Sequence, residues 1–448
     1  MRIIPSPDQS AAVRGLLAAL LTGHEAVLVG PAGTGKTTTL ELFLAQWQKA
    51  ENRPQNIRNP QPVCVCPTWK AALRFTQVTG WEAHSIHSLI YGAPEEKKDD
   101  KGRKTLEFNE TKSSAELRNR LIVVDEASMV GERIYRDLMD WASRHNCIVL
   151  FVGDREQLEP VNAKWGVDFD RPTAALTKVH RQDDGSNLLD FVTLIREKKA
   201  HEFKAYGTDV HWHKRVDEPK LSHFWQSAET VSDRICITYT NRLRTGQNRI
   251  ARRALGFSGD PQPGEPLLSF ANRARMVNGE IVVINEIEEV QQGQDDPAGV
   301  LAAVLAPSEL RVLQVTAAMG SKTTKFLLLP DSLHLFGYAK SDFNGDVIQA
   351  IKTEVAGELF FKYGRFMEKH QGRTGIRAKR ILRAYTMLAD VDYGYSVTAH
   401  KAQGSQWKDV FVLVEPALRK SDGGPAFRRR WLYTAATRAE KTLNVGSL

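Results

Sequence analysis

Eight residues, Gly30-Pro31-Ala32-Gly33-Thr34-Gly35-Lys36-Thr37, constrain this chain more than any other stretch of it. They follow a short apolar run, EAVLVG, and open KTTTLELFLAQWQKA, an amphipathic helical segment. A glycine-rich turn between a buried strand and a helix is the setting in which backbone amides wrap phosphate oxygens with no Cβ in the way. The helix N-terminus adds partial positive charge. Gly33, Thr34, Gly35, Lys36, Thr37 and Thr38 are the expected phosphate cradle. Lys36 would reach the β- and γ-phosphates, and the Thr37 hydroxyl would ligate Mg2+. By itself the motif does not separate kinases, transporters and other users of nucleoside triphosphates.

Around the motif, strand and helix alternate through the first 170 residues. Asp8 is placed to cap a helix running to Leu21. PVCVCP, LIVVDE and CIVLFVGD read as buried strands, and TWKAALRFTQV as a helix. Short apolar strands between helices imply an α/β fold with a parallel sheet covered on both faces. Residues 91–118 break the rhythm. They are polar, and their EEKK and KTLEF runs suit a small hairpin. A second α/β unit is expected from Arg171, with RICITYT a strand and NRLRTGQNRIARRAL a helix. Within it, residues 256–350 carry short β-type runs (ARMVNGEIVVINEIEEV, VLAAVLA, ELRVLQVTAA, TTKFLLLP) that suggest a small inserted barrel. Residues 351–387 read as helical and basic, and 388–448 return to the core pattern. The expected division is therefore 1–90 with 119–170, a hairpin at 91–118, 171–255 with 388–448, and an insertion at 256–387.

The chain has 448 residues, enough to bury large cores without staples. Its net charge of +8 favours a polyanionic partner. The four cysteines, Cys64, Cys66, Cys147 and Cys236, all fall in apolar strand-like runs. They read as core thiols of an intracellular, reducing compartment and not as a disulfide framework. The N-terminus has no signal-peptide pattern, and no apolar run approaches the ~18 residues of a membrane span. His211 and His213 could share a strand face, but no third metal ligand lies near them.

Chemistry sharpens at LIVVDEAS. An apolar strand delivering Asp125 and Glu126 opposite a phosphate loop suits hydrolysis. Asp125 would hold the metal shell, and Glu126 would orient and deprotonate the attacking water. Small-molecule kinases do not need the second carboxylate.

Further motifs then fall in order: TKVHRQ, VTAHKAQGSQWKDVFV and WLYTAATRAEK, together with VGDREQLEPV, CPTWKAA, AHSIHSLI and Gln9. In content and order, from residue 9 to residue 441, the set resembles superfamily 1 helicases. It is most similar to the RecD-like 1B branch and to Dda-type phage helicases. The resemblance implies two RecA-like core domains, a small hairpin in the first, and an SH3-like barrel plus helices inserted in the second. It implies ATP-dependent 5′–3′ movement on single-stranded DNA with separation of the duplex. Gln9 would read adenine, Gln157 would sense the γ-phosphate, Gln403 and Gly404 would line the nucleotide cleft, and Arg181 and Arg438 would act as arginine fingers. Pro67, Thr68, His87, Asn241, Thr398, His400 and Lys401 would contact the strand. Trp69 either stacks on a base or packs in the core behind its motif. Leu106 and Phe108 are candidate wedges on the hairpin. The partners implied are single-stranded DNA, single/double-strand junctions, and single-strand-binding, replication or recombination proteins. A monomer in the cytoplasm of a bacterial cell or phage-infected host is expected, with no membrane role. A different class of protein, a nucleotide-switched single-strand-binding ATPase that does not unwind, would carry the same motifs. The basic stretch 361–383 reads either as a solvated helical face or as an electrostatic track for the strand.

Overall fold

The computed structural model describes residues 5–448 apart from 52, 92–93, 99–103, 109–116, 162, 179–186, 200–208, 228–229, 273, 275, 293–295, 307–309, 320–321, 334–379, 382 and 385. Two compact units emerge. One comprises Met1–Gly207, Gln403–Ser405 and Gly423–Thr437, and the other Thr208–Ala402, Gln406–Asp422 and Arg438–Leu448.

The first unit opens with the helix Pro7–Thr22. Its cap is Ser6 and not Asp8, which falls in the first turn. The Ser6 hydroxyl accepts from the Gln9 amide, and Gln9 Oε1 accepts from the Ser6 amide (3.0 Å). This reciprocal box wins because Pro7 suits the first helical position, where no amide is needed. The strands that follow are β1 (Glu25–Val29), β2 (Val63–Cys66), β3 (Ala83–Ser85), β4 (Pro94–Lys98), β5 (Lys104–Phe108), β6 (Leu121–Val124), β7 (Ile148–Gly153) and β8 (Ala174–Ala175). Six of them form a parallel sheet in the order β3-β2-β6-β7-β1-β8.

Side-chain alternation sends this sheet's residues to two cores. Ala26, Leu28, Leu121, Val123, Leu150 and Val152 pack with Leu16, Phe43, Trp47 and Phe75 from the helices Pro7–Thr22, Lys36–Lys49 and Trp69–Thr79. Val27, Val29, Ile122, Val124, Val149 and Phe151 pack with Ile86, Leu138 and Trp141 on the other face. Each fully buried valine, leucine, isoleucine or phenylalanine contributes about 1.5–3 kcal/mol, and the doubly covered sheet matches the near-continuous apolar runs of the sequence. The first unit reaches past the expected boundary at residue 170. There β8 joins the sheet beside β1, and the helix Asn187–Arg196 packs on the helix Gly424–Ala436. The strands β4 and β5 pair antiparallel, with Glu96 opposite Leu106 and Pro94 opposite Phe108.

The second unit holds β9 (Val210–His213), β10 (Arg234–Thr238), β11 (Pro266–Ser269), β12 (Ile281–Glu289), β13 (Leu313–Met319), β14 (Lys322–Leu328), β15 (Val391–Tyr393), β16 (Ser396–Thr398), β17 (Trp407–Val414) and β18 (Ala439–Ser447). A parallel sheet runs β16-β10-β17-β18-β9, and an antiparallel one runs β14-β13-β12-β11-β15. An isolated bridge joins Leu327 of β14 to Leu388, just ahead of β15.

Two expectations fail here. VLAAVLA is not a β-type run but part of the helix Pro297–Leu305. Asp296 caps it by accepting from the Gly299 amide (2.7 Å), and Pro297 occupies its first position, so end signals and alanine-rich composition override short-run hydropathy. In addition, β15 belongs to the antiparallel sheet although residues from 388 onward were expected in the core pattern. The chain passes from one sheet to the other at Gly394, where a Cβ would come within 3.2 Å of the β11 backbone. Asn248 locks the crossing. It donates to the Tyr393 carbonyl (2.7 Å) and accepts from the Ser396 amide (2.9 Å). On the same helix, Asn241–Ala254, Arg244 pairs with the fully buried Asp392 (2.8 Å) and Arg252 with Glu265 (2.6 Å). Removing one partner of such a pair leaves an uncompensated buried charge, at a cost of roughly 3–5 kcal/mol.

Most of the basic stretch, residues 361–379 with Arg377 and Lys379, lies outside the described residues, as does the expected helix over 351–379. No helix among the described residues is long and apolar enough to cross a membrane.

Candidate nucleotide site and nucleic-acid interface

The glycine-rich turn leaves β1 and enters the helix Lys36–Lys49 through Gly35, whose φ of +76° lies in the left-handed region. A Cβ there would also come within 2.6 Å of Gln9 Nε2, so glycine is needed both for backbone shape and for the approach of Gln9. Gln9 is buried in the first turn of its helix, so the capping box that starts the helix also places the proposed adenine reader beside the turn. Thr34 is fully buried and donates to the Pro31 carbonyl (2.9 Å). Lys36 Nζ folds back over the turn and donates to the carbonyls of Gly30 (2.7 Å) and Pro31 (3.1 Å). Thr37 and Thr38 are half-buried at the helix start.

Asp125 directly follows β6, and its amide donates to the Val65 carbonyl (3.0 Å). Desolvation, then the neighbouring charge of Glu126, pushes the Asp125 carboxyl upward against the pull of Lys36 and Arg74. Glu126 has φ +53°, a left-handed conformation that an L-residue holds only at a cost. Strain of this kind is concentrated where a side chain must be aimed. Asp154, at the end of β7, is buried and its carboxyl is also raised by desolvation, with Lys36 opposing. The Gln157 amide donates to the Asp154 carbonyl (3.1 Å), and its side-chain Oε1 is buried without a hydrogen-bond partner. Gln403 Nε2 is likewise buried and unpartnered. The Gly404 carbonyl accepts from Arg74 Nη1 (3.0 Å), which ties residues 403–405 to the helix Trp69–Thr79.

The first unit therefore gathers Gln9, the turn, the carboxylate pair, Gln157, Gln403 and Gly404. Arg438 lies just ahead of β18 in the second unit, buried, with its carbonyl accepting from the Trp407 amide (3.0 Å). Arg181 lies outside the described residues. Reading the motifs alone passed over Tyr433, Asp154 and Arg74. A tyrosine in an apolar helical run reads as core, and nothing in its spacing marks the hydroxyl.

The proposed strand contacts follow strand ends. In the first unit, Thr68 caps the helix Trp69–Thr79 by accepting from the Ala71 amide (3.2 Å), and Pro67 is half-buried beside it. Trp69 is 36% exposed and meets His84 edge-on at 6.2 Å, which rules out its reading as a core residue. His87 sits on the short helix Ile86–Ile90 against Tyr91; desolvation, then Arg133, lowers its pKa and favours the neutral ring. In the second unit, Thr398 is the register partner of Thr238, so Asn241, Thr398, His400 and Lys401 gather at the carboxyl end of that parallel sheet. Open α/β sheets bind ligands at that end. Lys401 Nζ donates to Asn278 (2.7 Å) and lies 4.4 Å from the Phe270 ring centroid, so the connection between β11 and β12 helps to hold it.

Elsewhere the chemistry is structural. All four cysteines are buried free thiols, and burial pushes Cys64 and Cys236 up to about 12. His213 bonds Asn444 (3.0 Å) and stacks on Phe411. For Leu106 and Phe108 only the backbone pairing is described.

Comparison with known proteins agrees with this geometry. Residues 5–217 match the AAA domain family, and residues 393–445 match the UvrD-like helicase C-terminal domain. The chain is 25% identical to the ATP-dependent RecD2 DNA helicase of Deinococcus radiodurans, over 95% of this chain and 48% of that protein. It is 25% identical to the RecBCD enzyme subunit RecD of Mycolicibacterium smegmatis, over 98% of this chain and 70% of that one. It is 23% identical to the ATP-dependent DNA helicase dda of Enterobacteria phage T4, over 39% of this chain and 38% of that one. The chain thus spans about half the length of the first of these relatives. A structure of two coordinating Pif1 helicases at forked double-stranded DNA shares the fold, with a TM-score of 0.51 and 16% identity, covering 99% of this chain and 92% of that one. With these motifs in this order and such relatives along nearly its whole length, the chain belongs to the RecD-like, superfamily 1B family of helicases, Dda-type proteins included.

Proposed function

We propose that this chain is an ATP-dependent DNA helicase that moves 5′–3′ along single-stranded DNA and separates duplex ahead of it. The observation that carries the reading is the set assembled around one turn: Lys36, the Asp125–Glu126 pair and a buried Gln157 oxygen with no hydrogen-bond partner. A phosphate entering the turn exchanges for the Gly30 and Pro31 carbonyls at Lys36 Nζ. Thr37 and Asp125 offer hard oxygen donors, and a carboxyl made costly by desolvation is relieved by a cation, so the site fits Mg2+. Bound there, the ion would screen phosphate charge. Glu126 orients the attacking water and takes its proton, Gln157 senses the γ-phosphate, and Arg181 and Arg438 neutralise charge in the transition state. Gln9 contacts the base, and Gly33, Thr34, Gly35, Thr38, Gln403 and Gly404 complete the nucleotide site.

Pro67, Thr68, His87, Asn241, Thr398, His400 and Lys401 hold the strand through its backbone, with Trp69 stacking on a base, a contact worth about 1–3 kcal/mol. Single-stranded DNA and junctions are the partners of this reading, together with single-strand-binding, replication or recombination proteins. The protein acts as a monomer in the cytoplasm of a bacterial cell or phage-infected host.

Polarity is tested on duplexes with one single-stranded tail. With ATP and Mg2+, the 5′-tailed duplex is expected to separate and the 3′-tailed one to stay intact. Separation from the 3′ tail alone would refute the polarity. ATP hydrolysis with no separation of either would favour a nucleotide-switched strand-binding ATPase.

The β4–β5 hairpin is proposed to split the duplex, with Leu106 or Phe108 as its wedge. Shortening residues 96–106 to a tight turn should lower unwinding several-fold while sparing ATPase activity stimulated by single strands. Unwinding at the full rate would leave the hairpin as a surface loop.

A further inference from the structure

Tyr433 lies on the helix Gly424–Ala436 and is fully buried. Its hydroxyl accepts from the Ala32 amide (2.9 Å) and donates to Asp154 Oδ2 (2.8 Å). Burial and then the Asp154 charge hold the phenol well above its ordinary pKa, so it keeps its proton. Asp154 is itself held from three sides. Its Oδ1 accepts from the Glu156 amide (3.0 Å), its amide donates to Ser128 Oγ (2.7 Å), and Ser128 Oγ donates back to the Asp154 carbonyl (2.9 Å). Ser128 stands in the turn that follows Glu126.

The neighbouring contacts all concern the loop that carries Gln157. The Gln157 amide donates to the Asp154 carbonyl (3.1 Å), and the Leu158 amide donates to Thr434 Oγ1 (2.9 Å). Glu156 pairs with Arg429, and Glu159 with Arg430. One phenol thus joins the phosphate turn to the Gln157 loop, through an aspartate that is bonded to the turn after the catalytic carboxylates. Phenylalanine would fill the same volume. It would leave the Ala32 amide and Asp154 Oδ2 without this partner, and buried polar groups that lose a partner move to find another.

We propose that Tyr433 is a positioning residue for ATP hydrolysis, its hydroxyl fixing the phosphate turn and the Gln157 loop relative to each other. The inference rests on the ATPase reading given above. It separates two consequences. Nucleotide binding depends mainly on the amides of Gly33 to Thr37 and on Lys36, none of which bonds Tyr433. Hydrolysis depends on where Gln157 stands against the γ-phosphate, and that is what the hydroxyl sets.

The test compares wild type, Tyr433→Phe, Gln157→Glu and the double variant. It reads kcat for ATP with saturating single-stranded DNA, the Kd of a fluorescent ATP analogue with Mg2+, and Tm. Tyr433→Phe is expected to lower kcat roughly 10- to 100-fold, the scale of a misplaced reacting group, with a much smaller change in Kd. Because it acts through Gln157, the double variant should be little slower than Gln157→Glu alone. An unchanged kcat in Tyr433→Phe, an equal loss in Kd, or two effects that multiply in full would overturn the proposal. If Tyr433→Phe does not fold, Asp154→Asn carries the same expectations and the same refutations. A wild-type protein without ATPase activity would overturn the functional reading and this inference with it, whereas an active wild type and an equally active Tyr433→Phe would overturn this inference alone.

Discussion

Replacing Lys36 with alanine is expected to abolish ATP turnover, with a loss of at least roughly 10²–10³-fold, the scale on which a single charge-stabilising donor acts. Lys36 Nζ bonds two carbonyls of its own turn, Gly30 and Pro31. Losing those bonds should cost only about 1 kcal/mol of stability, so a folded but inactive protein is the anticipated outcome. Single-strand affinity, read by fluorescence anisotropy, should stay close to wild type, because the proposed strand contacts are other residues. Turnover at the wild-type rate would remove the turn from the chemistry. A parallel collapse of strand binding would show that the turn and the strand surface are not separable.

Glu126→Gln is expected to bind Mg2+ and ATP yet hydrolyse ATP at least roughly 10²-fold more slowly, as loss of a general base does. The substitution is nearly isosteric. It keeps a side chain that tolerates the left-handed backbone about as well as glutamate does, so the fold should not be the casualty. It also removes the charge that helps to push Asp125 upward. Nucleotide binding should therefore be equal to wild type or tighter while kcat falls. A single-turnover measurement with prebound nucleotide checks this directly. Chemistry at the wild-type rate would move the base to another residue.

Much of this protein is written in local pattern. The turn at Gly30–Thr37, the carboxylate pair ending LIVVDE and the apolar strands can be read because spacing and backbone chemistry fix them within a few residues. The β4–β5 hairpin was equally visible, since two β-type runs around a polar turn leave few other pairings. Local reading failed where two local signals competed. Ser6 displaced Asp8 as the helix cap because Pro7 follows it, and Asp296-Pro297 turned an apparent strand into a helix.

Trp69 shows a different limit. Its motif was plain, but whether the indole faced solvent or core depended on what packed behind it, and its exposure emerges only from the fold. The same holds for Lys401, whose partners Asn278 and Phe270 come from the connection between β11 and β12.

The sequence by itself determined the identity of the phosphate turn, the carboxylate pair and the ordered motifs, because each is a property of neighbouring residues and of the backbone between them. Only the tertiary structure decided which side chains join those motifs. The Tyr433 hydroxyl meets the Ala32 amide across 401 positions of chain, and the Arg74 guanidinium meets the Gly404 carbonyl across 330. A hydrogen bond needs two groups within about 3 Å, and no periodicity or composition encodes that proximity. It arises when the sheet closes over its two apolar faces and brings distant strand ends and helices together.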